Sequence, residues 1–369
     1  MKNILLITTV YRTGEKIYPI IPRLSDIYNV DILHMYQMSN QTIFPEEEIT
    51  RKLFDKKYLS YIRNEYNGPR YFKNPDKDGD SSVNFVREFE DVVKENNYSL
   101  VIWDNNTTIK GGGMSLFYKL FSRCDIKVLG SPHGNKEYKA CRLHKRMGRI
   151  YDFSFVFGEK EKKKFIKIGG EKFSKNFLPA GIPCNDDLIN YDRGNKYILV
   201  IPNYTTKDKC LFKPFTKKLF DEMKFLELRD RYNCKILIKE KQSVFYRSSY
   251  SIGDSFKKEG VEVVGFCEND NKLIADAKVV IGAPSTLSLK SIQMGIPTIV
   301  FKGYGAIGNF DDFPGLISPS YDNIRDSVKY QLSQGKLNKY VECTIAGGID
   351  FRSIDLYIEY INKILSDII

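Results

Sequence analysis

The chain has 369 residues and 42% apolar content, including 24 Tyr and 24 Phe, with 57 Lys and Arg against 46 Asp and Glu, a formal charge of +11. That length predicts two domains, and the apolar content excludes a disordered or collagen-like chain. No apolar run approaches the ~20 residues of a membrane-spanning helix, and seven scattered cysteines with no C-x-x-C pair argue against a disulfide frame or a zinc site; a reducing cytoplasm is the expected compartment.

Short β-branched or apolar runs alternate with longer mixed segments from end to end, the pattern of a parallel sheet wrapped by helices. The first run, residues 4–8, carries one Lys before it and no small-residue cleavage site after it, so it reads as a buried strand and not as a signal peptide. Strands are predicted at 4–8, 30–35, 100–104, 127–130 and 153–157, with helices over 18–28, 82–96 and 115–122. Residues 40–80 are polar and Tyr-rich with Pro45, Pro69 and Pro75, and read as an insertion with some helix over 46–66. The polar stretch 190–195 is the best linker. The pattern then restarts with strands at 197–201, 235–239, 261–264, 279–282 and 298–301 and helices at 271–276, 287–294, 323–334 and 353–367. The expected architecture is therefore α/β, two Rossmann-like doubly wound domains, 1–190 and 191–369, facing a cleft. Ligands in such sheets sit at the carboxyl ends of the strands.

The sharpest local signal runs from Val279 to Phe301. An apolar strand ends at Gly282, Ala283-Pro284 follow, Ser285 or Thr286 caps a helix, and Gly295-Ile296-Pro297 ends it before another strand. A hydroxyl cap at a strand-to-helix junction presents free N–H groups and the positive end of a dipole, which suits a phosphate; a plain N-cap with no ligand is the bland alternative. Lys239 ends another predicted strand, where it could face a diphosphate or simply be solvated. Asn203 follows the first strand of this half at the equivalent place.

The order of Gly265-Phe266, a helix ending Ile274-Ala275-Asp276-Ala277, Ser285-Thr286 and Gly295-Ile296-Pro297 resembles the C-terminal half of GT-B fold glycosyltransferases. It looks closest to the branch shared by glycerophosphotransferases of teichoic-acid synthesis, capsule-polysaccharide transferases and hydrolysing UDP-sugar 2-epimerases. The segment from Asp152 to Gly158, then Leu178 to Pro183 and Asp186-Asp187, is similar to that family's approach to its linker. The resemblance implies a nucleotide diphosphate held by the second half, with the Ser285-Thr286 helix start on the phosphates and Gly265-Phe266 near the base. Two positions depart from the pattern. Lys290 stands where many GT-B enzymes place a ribose-gripping Glu, and a Lys cannot accept hydroxyl hydrogens, so either the nucleotide is held differently or Lys290 meets an extra anionic group. No His-Pro follows Lys239, which speaks against a poly(glycerol phosphate) chemistry.

In the first half, the strand 127–130 runs into Ser131-Pro132-His133-Gly134. The resemblance places His133 at the catalytic base position, where an imidazole of near-neutral pKa suits deprotonation of a hydroxyl; a turn histidine bonded to backbone is the alternative. Arg12, Thr13 and Gly14 in the first βα turn, Asp104 at a strand end, Gly112 in a three-glycine loop and Gly134 complete the expected acceptor side. His34, inside a strand, and His144, in a basic run, are weak candidates.

Residues 136–175 hold 13 Lys and Arg against 5 Asp and Glu, so +8 of the +11 lies in one segment. An amphipathic basic helix over 138–149 would suit an anionic membrane surface, and a solvated basic face is the ordinary alternative. Together these features predict a metal-independent, cofactor-free cytoplasmic glycosyltransferase. It would move a sugar from a nucleotide-sugar donor to a glycan or lipid-linked acceptor, with a peripheral seat on the membrane's inner face through 136–175 and no nucleic-acid partner. The alternatives are a UDP-sugar 2-epimerase, a polyol-phosphate transferase and a DNA-modifying glycosyltransferase.

Overall fold

Runs such as Asn3-Ile-Leu-Leu-Ile-Thr8 and Ala277-Lys-Val-Val-Ile-Gly282 are apolar on both faces, as strands covered on both sides must be. In the computed structural model, residues 1–8, 14–34, 45–67, 90–103, 120–131, 151–202, 217–239, 261–265, 269–304, 308–334 and 337–369 are described. The first sheet holds β1 (Asn3–Thr8), β2 (Asn29–His34), β3 (Asn64–Asn67), β4 (Tyr98–Trp103), β5 (Lys127–Gly130), β6 (Phe153–Val156) and β7 (Phe177–Pro179), in the order β3-β2-β1-β4-β5-β6-β7. The second holds β8 (Tyr197–Ile201), β9 (Lys235–Lys239), β10 (Glu262–Val264), β11 (Ala277–Gly282), β12 (Thr298–Phe301) and β13 (Leu316–Ile317), in the order β10-β9-β8-β11-β12-β13. Every pairing among the described residues is parallel. The strand order reverses between β1 and β4 and again between β8 and β11, the two points where such sheets open a ligand crevice.

The helices are α1 (Ile21–Ser25), α2 (Pro45–Tyr58), α3 (Glu159–Gly169), α4 (Lys217–Glu222), α5 (Phe225–Tyr232), α6 (Asp270–Ala275), α7 (Thr286–Gln293), α8 (Tyr321–Gln334), α9 (Leu337–Thr344) and α10 (Ser353–Leu365). The helix expected over 18–28 is instead a 3-10 turn, Tyr18–Ile20, followed by α1, because Pro19 and Pro22 each stand at a first-turn position and cannot donate to a continuous ladder. The helix expected within 46–66 is Pro45–Tyr58, and Asn64–Asn67 pairs as an edge strand with β2. Of Asn-Glu-Tyr-Asn only Tyr66 favours a strand; the edge of β2 supplies the pairing.

The strands of the two sheets fall on either side of residue 190, but the closing helix returns to the first sheet. Tyr357, Ile358, Ile361, Ile364 and Leu365 of α10 are buried among Ile4, Leu6, Leu100, Leu129 and Phe155. The Tyr357 and Phe155 rings lie 3.8 Å apart between centroids. A shared cluster joins the halves: Phe157 and Ile182 pack with Leu289, Ile292, Val300, Phe310 and Tyr340. Around it, the Ala346 amide donates to the Phe157 carbonyl over 2.6 Å, Asn185 donates to Gln293 over 2.8 Å, and Gln293 donates to the Gly348 carbonyl over 2.8 Å. Lys160 and Lys164 of α3 bond to Asp311 at 2.8 and 2.5 Å, so two charges of the basic segment tie the halves together. Residues 136–150 of that segment lie outside the described residues. Among the described residues no helix is long and apolar enough to cross a membrane.

Candidate functional site

At the reversal point of the second sheet, β11 lies between β8 and β12, and Gly282 meets the end of β8 so closely that a Cβ would run into the Ile201 carbonyl oxygen. The Ala283 amide continues this contact, donating to the same carbonyl over 3.0 Å. The buried Pro284 then directs the chain into Ser285, whose extended backbone (φ −152°, ψ 167°) makes it the N-cap of α7. Its Oγ accepts from the Ser288 amide at 3.1 Å, and the Ser288 hydroxyl donates back to the Ala283 carbonyl over 3.0 Å. Of the first-turn N–H groups, those of Thr286 and Leu287 have no carbonyl within the helix to receive them. They open at the carboxyl end of β11, where the dipole of an eight-residue helix adds positive character. Deeper in, Ser291 and Thr298 share a hydrogen bond of 2.8 Å, closing the helix onto β12.

Lys239 is buried and not solvated. Only 4% exposed, its ammonium donates to the Gly265 carbonyl over 2.6 Å and lies 3.5 Å from Asp270 Oδ1. Lys290 donates to Asn271 Oδ1 over 2.7 Å, and Asn271 Nδ2 reaches the Cys184 carbonyl over 3.4 Å. Lys290 thus joins α7 to α6 and, through Asn271, to the segment between the halves.

On the first-sheet side, Thr8 ends β1 and shares a 2.7 Å hydrogen bond with His34 Nδ1 at the end of β2. The Tyr18 hydroxyl reaches the same Thr8 Oγ1 over 3.3 Å. Burial, with Arg51 nearby, lowers the pKa of His34 to about 3, so this imidazole is neutral and holds the floor. Gly14 packs directly under the Tyr18 ring, which a Cβ would overlap; the glycine answers to that packing. The Ser131 hydroxyl, where β5 ends, faces the Tyr357 hydroxyl at 3.3 Å.

Between the halves lies the 3-10 segment Pro183–Asn190. Its Asp186 accepts from the Ile354 amide at the start of α10 over 2.6 Å, and burial pushes its pKa up to about 6. Burial also raises the Cys184 thiol, whose charged neighbours are Lys290, Lys16, Glu15 and Asp186. Burial raises the Tyr58 hydroxyl, with Cys184, Asp187 and Glu15 adding to it. The first βα turn and the connecting segment therefore influence the same buried thiol and hydroxyl electrostatically. Glu15, Lys16 and Cys184 were not singled out from the sequence, because only the fold brings residues 15 and 184 together.

Of the predicted residues, Lys239, Gly265 and Pro284 to Thr286 stand at or just after the ends of β9, β10 and β11, Lys290 lies within α7, and Gly14 follows β1. His133, Asn203, Phe266, Arg12, Thr13, Asp104, Gly112 and Gly134 lie outside the described residues.

No protein-family model matches the chain, and no curated protein matches it in sequence. Solved structures do. A UDP-GlcNAc 2-epimerase from Methanocaldococcus jannaschii superposes with a TM-score of 0.67 at 14% identity, over 98% of this chain and 100% of that one. A UDP-GlcNAc 2-epimerase from Neisseria meningitidis, bound to UDP-GlcNAc, gives 0.65 at 13% identity, over 98% and 100%. HepE from Anabaena, in complex with UDP and glucose, gives 0.58 at 11% identity, over 99% and 100%. At these identities the likeness establishes the fold: the chain has the two-domain GT-B architecture that these 2-epimerases share.

Proposed function

We propose that the chain acts on a UDP-sugar bound between its halves, and that the reaction is 2-epimerisation. One observation carries this reading: both halves, with the connection between them, follow the fold of UDP-GlcNAc 2-epimerases over 98% of the chain. The junction at Gly282–Thr286 supports it, because first-turn amides, which have no acceptor within the helix, and the helix dipole suit a diphosphate. Inverting C2 requires a base to take its proton as the C1–O bond to UDP breaks and a C1=C2 double bond forms. An acid must then return a proton to the opposite face of C2 as UDP or water adds at C1, with donors to stabilise the departing UDP. Glu15 and Asp187, whose charges both act on the Tyr58 hydroxyl, are the candidate carboxylates, and His133 is the candidate imidazole for proton transfer.

Transfer to a hydroxyl acceptor is the second reading, favoured by the likeness to HepE in complex with UDP and glucose. Incubating the protein with UDP-GlcNAc alone separates the two. Release of UDP, or formation of the 2-epimer, with no acceptor present supports epimerisation, whereas UDP release that depends on an added saccharide or lipid-linked acceptor supports transfer. Under either reading, His133→Ala removes turnover and leaves UDP binding near normal; unchanged turnover would sink the assignment of His133.

A further inference from the structure

We infer that Gln293, at the opposite end of α7 from Ser285, is a positioning residue that couples nucleotide binding to the orientation of the two halves. This inference rests on the UDP-sugar reading. The chain passes between the halves twice, first through the 3-10 segment Pro183–Asn190 and again through Gly348–Asp350, between α9 and α10. Two contacts staple these passages to each other: the Ile182 amide donates to Ser353 Oγ over 3.1 Å, and the Ile354 amide donates to Asp186 over 2.6 Å. Gln293 reaches both passages. Its Oε1 accepts from Asn185 Nδ2 in the first over 2.8 Å, and its Nε2 donates to the Gly348 carbonyl in the second over 2.8 Å. Lys290, in the same helix, adds a tie to the first passage through Asn271 and the Cys184 carbonyl.

Gln293 and Asn185 are both buried. Two buried amides add little stability over apolar residues of the same shape. What they add is a single permitted arrangement, because a slip of α7 against either passage strands a buried polar group. The helix itself is held along its length: Ser291 shares a hydrogen bond with Thr298 of β12, and Leu289 and Ile292 are buried in the cluster that joins the halves. Ser285, its N-cap, stands about 12 Å from Gln293 along the axis at the helical rise per residue. A diphosphate drawn onto the Thr286 and Leu287 amides therefore acts on a rod whose other end is bonded to both passages. Any shift it imposes on α7 passes directly to the joint between the halves.

The test is hydrogen exchange by mass spectrometry with and without UDP on the wild type, Gln293→Met and Asn185→Ala, with folding checked by circular dichroism. Gln293→Met keeps the side chain's length and removes both bonds, whereas Asn185→Ala removes one. In the wild type, UDP slows exchange at the start of α7 and also over residues 182–191 and 345–354. Gln293→Met binds UDP as the wild type does and keeps the protection at the start of α7, but loses the gain over both passages. Its kcat for the UDP-sugar falls about tenfold while KM holds, because groups on the first half are misplaced against the sugar. Asn185→Ala loses the gain over 182–191 alone and decides the matter should Gln293→Met fail to fold. Passages that gain the same protection in the wild type and both variants would overturn the inference, as would a wild type in which UDP protects α7 alone. Parallel loss of UDP binding and of protection at the start of α7 would show a purely structural role and overturn it as well. A wild type that binds no UDP overturns the nucleotide reading itself, a separate failure.

Discussion

At the β11–α7 junction of the second sheet, polar groups are satisfied by residues three and five positions apart, Ser285 with Ser288 and Ser288 with Ala283. At the corresponding edge of the first sheet the partners are distant: Thr8 meets His34 across 26 positions and Ser131 meets Tyr357 across 226. Deeper in the first sheet, buried Asp31 accepts from the Tyr98 hydroxyl over 2.7 Å, 67 positions on, and pairs with Arg63. A junction made from one strand, one cap and one helix can form locally, whereas the contact between Ser131 and Tyr357 exists only once α10 has closed onto the first sheet. The two edges should therefore fail separately.

Tyr357→Ala should produce the largest effect. It removes a fully buried ring stacked on Phe155, at a cost of about 3–5 kcal/mol. Hydrogen exchange should show β1, β4 and β5 losing protection well before β8 and β11. Equal loss in both sheets would mean that the halves unfold as one unit.

Asp186 joins the two regions, and its titration gives the next effect. Its folded pKa, about 6, lies above that of a free Asp, so the folded protein holds an extra proton between about pH 4 and pH 6. Stability contributed here is greatest below pH 4 and is lost as pH rises through 6, by about 2–3 kcal/mol. Asp186→Asn retains an acceptor for the Ile354 amide. It should flatten the melting temperature across that window and exceed the wild type above pH 6, with the two curves converging at pH 4.

Gly282→Ala tests the second edge. The added methyl collides with the Ile201 carbonyl, costing about 2 kcal/mol by overpacking and abolishing UDP stabilisation while exchange in the first sheet is unchanged. Ser285→Ala is smaller, about 1 kcal/mol for the lost cap, with weaker UDP binding.

The same contrast explains what could be read in advance. The Gly282, Ser285 and Gly295-Pro297 junction was legible because a strand end, a cap and a helix stop each have local chemistry. The edge strand Asn64–Asn67 and the two-residue β13 were not, since they are too short to carry a periodic pattern and pairing with neighbouring strands creates them. The return of α10 to the first sheet left no local trace, its amphipathic pattern being compatible with either core. Lys239 was found as a candidate, but its partners, Gly265 and Asp270, emerged only from the register of β9 with β10.

Proton exchange at the sugar's C2 tests the central claim most directly. With the protein in deuterated water and UDP-GlcNAc as sole substrate, followed by NMR, epimerisation predicts deuterium at C2 together with the 2-epimer or released UDP. UDP-GlcNAc that persists with its C2 proton in place, under conditions where UDP demonstrably binds, would contradict it.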